Sequence, residues 1–231
     1  MIQLEGLEKK IGIRFKNQDL LKESLTHRSY LNERSSWPHP HNERLEYLGD
    51  AVLELAVSEG LFARFPNFPE GQLTVLRAAL VNYQMLSRVA TDIGLEKFIL
   101  MSKGEARDKG KAREVILANT IESLIGALYL DQGFEKTKEF VHTWVLTHLD
   151  SILKSKSYKD PKSELQEIIQ ERMKLTPTYR VLEENGPAHQ RIFKVGVYLG
   201  EKFVSEGRGS SKQEAETEAA REALLSYKSG K

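Results

Sequence analysis

The stretch Leu45–Ala56, LEYLGDAVLELA, shows the helical pattern that decides the fold of the first half of the chain. Its apolar residues, among them Leu48 and Val52, recur at three- and four-residue steps, which is the spacing along one face of an α-helix. Similar spacing continues to about Leu153, and the prolines of this half lie between such stretches, where they separate helices. Residues 1–153 are therefore predicted to form an all-α domain.

The pattern changes after a polar stretch rich in Lys and Ser, residues 154–161, whose composition is typical of a linker. Beyond it, residues 162–228 read as a helix, three strands and a last helix, which predicts a small α+β domain with the order α-β-β-β-α. Ser211, followed three residues later by Glu214, is a capping-box signature for the last helix. The predicted strands are Thr178–Val181, Ile192–Tyr198 and Lys202–Ser205.

The composition excludes several classes of function. The 231 residues include no cysteine, which excludes disulfides, thiol nucleophiles and cysteine-based zinc sites. We find no run of about 18 apolar residues, no secretory signal pattern and no GxxxxGK[ST] loop, so we expect a cytoplasmic protein with no membrane and no nucleotide triphosphate as partner. The formal net charge is only +1, so any nucleic-acid surface must be local.

Acidic side chains occupy one face of the helix predicted around Leu45–Ala56. Glu43, Glu46 and Asp50 are three and four residues apart and therefore share this face, with Asn42 as the expected N-cap. Like charges in this arrangement weaken a helix by roughly 0.2–0.5 kcal/mol per pair, which favours a compensating cation. A solvated acidic face is the alternative, and it is the commoner one for helices of this kind.

A second acidic position lies in the almost uninterruptedly apolar stretch Leu117–Leu130, where Glu122 is the only charge. A helix that is apolar on all sides is buried, and a buried carboxylate needs a ligand or a partner. Asn119, one turn earlier, adds an amide oxygen. If the two helices face each other, these residues join Glu46 and Asp50 in an oxygen-rich site for Mg²⁺, suited to phosphodiester hydrolysis. A polar network without catalysis is the alternative.

The stretch His41–Leu55, HNERLEYLGDAVLEL, resembles the signature of the bacterial ribonuclease III family, whose characteristic core is NERLEFLGD. Further stretches support the resemblance in the family's order, and the C-terminal part resembles a double-stranded RNA-binding domain, so that essentially the whole chain is covered. The supporting stretches are LTHRSY (Leu25–Tyr30), LRAALVN (Leu76–Asn82), MSKGEARDKGKARE (Met101–Glu114) and ANTIESLIGALYLDQG (Ala118–Gly133).

The resemblance implies a homodimeric, Mg²⁺-dependent endoribonuclease that cleaves double-stranded RNA, with Mn²⁺ as a substitute for Mg²⁺. It implies 5′-phosphate and 3′-hydroxyl ends, two-nucleotide 3′ overhangs, and ribosomal precursors and other structured transcripts as substrates. By position, Asp50 and Glu122 are catalytic, Glu43 helps RNA handling, and Tyr47 packs at the dimer interface. The implied metal ligands are Glu46, Asp50, Asn119 and Glu122.

Asn119 departs from the family pattern, which has a metal-binding aspartate at this position. An amide still offers a carbonyl oxygen, but it carries no charge and cannot act as a base, so we expect lower metal affinity. Three interpretations follow: an active natural variant, a chain substituted at this position to trap uncleaved RNA, or a catalytically silent double-stranded RNA-binding protein. A helical interaction protein with a surface acidic stripe is the remaining alternative.

The resemblance also implies three RNA contacts in the C-terminal domain. Double-stranded RNA is recognised mainly by shape, through phosphates and 2′-hydroxyls, so spaced contacts matter more than a basic composition. Because Lys212 is followed by Gln213 and Glu214, binding is expected to depend only weakly on salt. The implied contact residues are Ser163, Gln166 and Glu167 on the first helix, His189 in the first turn between strands, and Ser211, Lys212 and Gln213 at the last helix.

Overall fold

The computed structural model describes residues 4–155, 160–187 and 191–228. The chain divides into two compact units, Met1–Tyr158 and Lys159–Lys231. Within the described residues, the first unit is helical and the second contains three strands between two helices, so both predicted fold classes are confirmed.

The first unit is built around its two longest helices, α4 and α8. Their apolar residues, together with those of the surrounding helices, form one continuous core in which Leu53, Leu61, Ile121 and Leu124 are almost fully buried. The helices are α1 (Leu4–Ile11), α2 (Gln18–Ser24), α3 (Arg28–Glu33), α4 (Glu43–Arg64), α5 (Glu70–Val81), α6 (Tyr83–Ile93), α7 (Lys103–Arg107), α8 (Lys111–Gln132), α9 (Phe134–Trp144) and α10 (Leu149–Ser155), with short 3₁₀ turns at Leu95–Lys97 and Leu146–His148.

Two glycines allow α4 and α8 to lie in close contact. A Cβ atom at Gly49 would overlap the backbone carbonyl of Glu122, and one at Gly126 would overlap the backbone carbonyl of Leu45. The two helix backbones therefore approach each other more closely than side chains normally permit. This crossing brings the middle of α8 against the first half of α4, where the acidic residues lie.

The start of α4 differs from the sequence-based expectation. Asn42 precedes the helix, but its side chain makes no capping hydrogen bond, and the residue is only 2% exposed. Its backbone is helical (φ −78°, ψ −8°), whereas a capping side chain requires an extended backbone at this position. Asn42 therefore occupies the predicted N-cap position, but its side chain does not cap the helix.

The second unit packs two helices on one face of an antiparallel sheet with the strand order β1-β2-β3. Leu165, Ile169 and Val197 form its core with the alanine face of the last helix, in which Ala219 and Ala223 are fully buried. The elements are α11 (Pro161–Met173), β1 (Pro177–Asn185), β2 (Ile192–Leu199), β3 (Lys202–Gly209) and α12 (Lys212–Lys228).

The predicted capping box at α12 is present in a shifted form. The Ser211 hydroxyl accepts the backbone N–H of Glu214 at 3.1 Å. The Glu214 carboxylate accepts from the backbone N–H and the hydroxyl of Ser210, at 2.7 and 2.6 Å. The capping carboxylate therefore reaches one residue further back than the usual arrangement.

The predicted domain bounds and the linker at 154–161 remain predictions. Helix α10 continues to Ser155 and α11 begins at Pro161, with Asp160 as its N-cap. Residues 156–159 lie outside the described part of the chain.

Candidate active site and RNA interface

The crossing of α4 and α8 brings together the four residues predicted to bind metal. Glu46 is half-buried and Asp50 is exposed on α4, and Asn119 and Glu122 are half-buried on α8. Their proximity is apparent from their mutual influence, since Glu46 and Asp50 both act on the ionisation of Glu122, and the Asn119 side chain hydrogen-bonds Glu46. This arrangement is consistent with the prediction from the sequence that the two acidic stretches face each other.

Glu122 has the most strongly perturbed ionisation in this site. Burial, followed by the negative charges of Asp50 and Glu46, raises the pKa of its carboxyl group from 4.5 to about 8. All three effects act in the same direction because each disfavours a further negative charge. At neutral pH most Glu122 side chains therefore carry a proton unless a cation is bound.

Glu46 occupies a similar but milder environment. Burial raises its pKa, the charges of Glu43 and Asp50 raise it further, and the hydrogen bond from Asn119 lowers it. An aspartate at position 119 would have no N–H group to donate and would add another negative charge. Asn119 therefore reduces repulsion in the site when no cation is present.

The donor set fits a hard divalent cation, although the carboxylates alone do not form a complete site. Within the described ranges, no group of three or more His, Asp or Glu side chains is arranged so that it could hold a metal ion. The amide oxygen of Asn119 adds a ligand that is not carboxylate, and Mg²⁺ usually keeps several waters and takes few protein ligands. A bound Mg²⁺ would also offset the negative charges that raise the pKa of Glu122.

Glu43 and Tyr47 lie at the edge of this site. Glu43 is exposed, and its carboxylate pairs with Arg28 at 3.2 Å and lies 3.8 Å from the His41 ring. Tyr47 is 84% exposed and borders a cavity of about 670 Å³ whose apolar lining includes Leu20 and Leu130. Arg28 is a neighbour that the sequence patterns did not indicate.

The predicted RNA contacts of the second unit lie on its surface. Ser163, Gln166 and Glu167 are exposed on α11, at the spacing that places them on one face. The Ser163 hydroxyl and backbone N–H donate to Asp160, which caps the helix. His189 lies outside the described residues.

The start of α12 carries the remaining predicted contacts. Ser211, Lys212 and Gln213 are exposed, and the Lys212 ammonium lies 5.7 Å from the centre of the Phe193 ring. Helix N-termini favour phosphate because their N–H groups are free, but here the Glu214 carboxylate already accepts from Ser210. The start of α12 therefore presents both the Lys212 cation and the Glu214 carboxylate.

Two family models match the chain, the ribonuclease-III-like model over residues 17–149 and the double-stranded RNA binding motif over residues 161–227. The chain is 40% identical over 227 residues to Ribonuclease 3 of Dehalococcoides mccartyi, covering 98% of this chain and 96% of that protein. It is 45% identical over 221 residues to Ribonuclease 3 of Bacillus cereus, covering 96% of this chain and 90% of that protein. The chain belongs to the ribonuclease III family.

This membership confirms the family resemblance and the class of enzyme predicted from the sequence. A solved ribonuclease III nuclease domain from Campylobacter jejuni matches 63% of this chain and 97% of its own length, with 41% identity and a TM-score of 0.57. That structure was described for flexibility in a region involved in dimer formation. In the described parts of this ribonuclease III, no helix combines the length and apolar character needed to cross a membrane.

The sequence patterns did not indicate the roles of Gly49, Gly126 and Ser123, nor the buried contacts of the Asn42 side chain. Gly49 and Gly126 set the helix crossing, and Asn42 and Ser123 share a buried hydrogen-bonded cluster. The available signals were a glycine in the apolar pattern of each helix, and a serine next to Glu122, the only charge between Leu117 and Leu130.

Proposed function

We propose that this ribonuclease III hydrolyses phosphodiester bonds in double-stranded RNA at the crossing of α4 and α8. The products carry 5′-phosphate and 3′-hydroxyl ends with two-nucleotide 3′ overhangs, and the substrates are structured transcripts, including ribosomal and messenger RNA precursors. The observation that carries this proposal is the close crossing of α4 and α8, which places the half-buried Glu122 beside Asp50 and Glu46 and raises the pKa of its carboxyl to about 8.

The chain would hold Mg²⁺, or Mn²⁺ in its place, through Glu46, Asp50, Asn119 and Glu122. When bound, such an ion supplies a nucleophilic water and neutralises charge on the phosphoryl group. Glu122 keeps a proton on its carboxyl oxygen at neutral pH and gives it up when the site gains positive charge. Asp50 is exposed and can orient a water or a phosphate-bound water toward the scissile bond.

A homodimer fits the surface of α4. Tyr47, Leu55 and Phe62 are 84%, 56% and 73% exposed on this one helix, and Leu55 and Phe62 border an apolar groove of about 600 Å³ between α4 and α5. Exposed apolar surface of this kind marks interaction sites, and the Campylobacter jejuni domain was described for a region of dimer formation. Sedimentation should give the mass of two chains, and Phe62→Ser should shift it toward one.

The second unit would position the duplex. The contact residues predicted from the sequence, on α11, at His189 and at the start of α12, would supply the three-point recognition of double-stranded RNA by shape. The unit's match to the double-stranded RNA binding motif over residues 161–227 supports this role.

The decisive experiment is cleavage of an end-labelled RNA duplex with Mg²⁺ titrated. We expect this chain to cut and Glu122→Gln to reduce the rate at saturating Mg²⁺ by roughly 10²-fold or more, because a ligand and an acidic group are lost. Asn119→Asp should lower the Mg²⁺ concentration needed for half-maximal rate.

The alternative function is binding without cleavage, which the amide at Asn119 favours. It would be supported if the unmodified chain binds the duplex but does not cut it at any Mg²⁺ or Mn²⁺ concentration, while Asn119→Asp cuts. Loss of duplex binding in the intact chain would contradict both functions.

A further inference from the structure

A cluster of buried polar groups lies where α2, α4 and α8 meet, within a core that is otherwise largely apolar. Ser24 and Ser123 are fully buried and Asn42 nearly so. The Ser123 hydroxyl lies 2.7 Å from the carbonyl oxygen of Ser24, 99 residues away in sequence, and 2.9 Å from that of Thr120 in its own helix. The Asn42 side-chain nitrogen lies 3.4 Å from the Ser24 carbonyl and 3.5 Å from the Ser123 hydroxyl.

This Ser24–Asn42–Ser123 cluster lies directly beside the acidic residues. Ser123 follows Glu122 in α8. The carbonyl of Asn42 accepts the backbone N–H of Glu46 at 2.9 Å, and the backbone N–H of Asn42 donates to Thr26, also at 2.9 Å. The turn of α4 that presents Glu46 is therefore attached to the end of α2 on one side and to α8 on the other.

The other contacts between α4 and α8 fix the position of one helix along the other less well than the hydrogen bonds of the Ser24–Asn42–Ser123 cluster do. Apolar contacts are non-directional, and the close approach at Gly49 and Gly126 leaves no side chain there to interlock. Hydrogen bonds depend on distance and angle. A shift of either helix would leave the buried Asn42 amide and the Ser24 carbonyl without partners, which is costly in a dry core.

We propose that Ser123 and Asn42 are positioning residues for the reaction, because their hydrogen bonds set the register of α4 against α8 and thereby hold Glu46 beside Glu122. Both act through the acidic residues, since both are buried away from any RNA surface. This inference rests on the function proposed above.

The test compares Ser123→Ala with Thr137→Val, a matched control in α9. Thr137 is also fully buried, and its hydroxyl donates to the Gly133 carbonyl of its own helix. The control removes a buried hydroxyl next to Lys138, which pairs with Glu59 in the second half of α4, far along the helix from Glu46. The measurements are the melting temperature with and without Mg²⁺ alone, and kcat and KM on the RNA duplex.

We expect Ser123→Ala to lower kcat roughly tenfold or more while KM changes less than about twofold, and to raise the Mg²⁺ concentration needed for thermal stabilisation by roughly tenfold. Thr137→Val should leave kcat and the Mg²⁺ response within about twofold of the unmodified chain, although it also loses a buried hydroxyl. Equal effects of the two variants on kcat and on the Mg²⁺ response would overturn the proposal.

Two further measurements keep the outcome decisive. If Ser123→Ala does not fold, two other variants replace it. Ser123→Cys keeps a similar side-chain volume with a weaker hydrogen-bond donor, and Asn42→Ala removes the other partner. A normal Mg²⁺ response in both variants would also overturn the proposal. If the unmodified chain does not cleave RNA, the proposed function fails, but the Mg²⁺-induced stabilisation and amide hydrogen exchange at Glu46 still report the register of α4.

Discussion

At the scale of single residues, the site brings together the carboxylates of Glu46, Asp50 and Glu122, which repel one another. Glu122 has the most strongly raised pKa of these groups, because it is half-buried on α8 and lies near the negative charges of Asp50 and Glu46. Asn119 relieves part of this repulsion by hydrogen bonding to Glu46. Bringing these carboxylates together therefore has a cost in stability that depends on pH.

Glu122 should make the cation-free protein less stable as pH rises. The pKa of its carboxyl group is raised from 4.5 to about 8 in the folded chain, so the folded state keeps a proton that the unfolded chain releases. This contribution to stability is complete below about pH 4.5 and is lost progressively up to about pH 8. In EDTA, Glu122→Gln should remove this dependence and melt higher at pH 8.5, by roughly 2–8 °C for a gain of about 1–2 kcal/mol.

Thermal unfolding from pH 5 to 8.5 in EDTA checks this expectation. Addition of Mg²⁺ at pH 8.5 should stabilise the unmodified chain more than Glu122→Gln, because a bound cation favours the ionised carboxylate. Parallel pH profiles for the two proteins would show that Glu122 has an ordinary pKa.

At the scale of helices and strands, close backbone approach decides the geometry of the site. Gly126 leaves room for the carbonyl of Leu45, as Gly49 does for that of Glu122. Burial of α4 and α8 could be predicted from their apolar spacing, but the distance between them depends on these absent side chains.

Gly126→Ala should therefore be severely destabilising, by roughly 3 kcal/mol or more, because the added methyl group overlaps the α4 backbone and forces the helices apart. Gly71→Ala in α5 is the matched control, since nothing lies within 4 Å of a Cβ atom at that position. It should be neutral or stabilise by about 0.4–1 kcal/mol. Urea unfolding of both variants measures the difference, and comparable midpoints would contradict the role of the crossing.

The order of helices and strands was predictable from the sequence, and where a predicted boundary is wrong the difference has a physical cause. Strand β1 was predicted to end at Val181 but continues to Asn185, because Glu183 and Glu184 pair with Lys194 and Arg191 and so remain in the sheet despite their charge. An irregularity in the pairing between Val181 and Glu183 also breaks the alternation of faces that a strand prediction relies on.

In the candidate active site, the sequence was sufficient to predict which side chains take part, but not which hydrogen bonds hold them in place. The need of Glu122 for partners followed from the apolar stretch Leu117–Leu130, in which it is the single charge. The burial of the Asn42 side chain did not follow, because it depends on the helical backbone angles of that residue and on a serine 81 positions later.

At the scale of the whole molecule, basic and acidic side chains nearly balance, and part of the basic charge of the second unit is held in ion pairs. The net charge is only +1, and several basic side chains of the second unit are paired, Lys194 with Glu206 at 2.9 Å and Arg191 with Glu184 at 2.8 Å. Recognition should therefore depend on the shape of the duplex more than on its charge.

Binding of a duplex by the intact chain should weaken only gradually with salt. Lys212→Ala should weaken binding and reduce the slope of log affinity against log salt by about one, because one phosphate contact is lost. Lys202→Ala, at the start of β3 and outside the three predicted contacts, is the control and should leave the slope unchanged. Fluorescence anisotropy in Ca²⁺, across a range of salt concentrations, measures both, and equal slopes would exclude Lys212 as a contact.

The separation along the chain of the groups that meet at the α4–α8 crossing has a consequence for protein synthesis. Asn42 and Ser123 are 81 residues apart, so a growing chain exposes the carboxylates of α4 long before α8 has left the ribosome. We expect no cation to be retained, and no transcript to be cut, by a chain whose translation is still at this stage. The α4–α8 crossing can therefore form only after the segment that contains Ser123 has been synthesised.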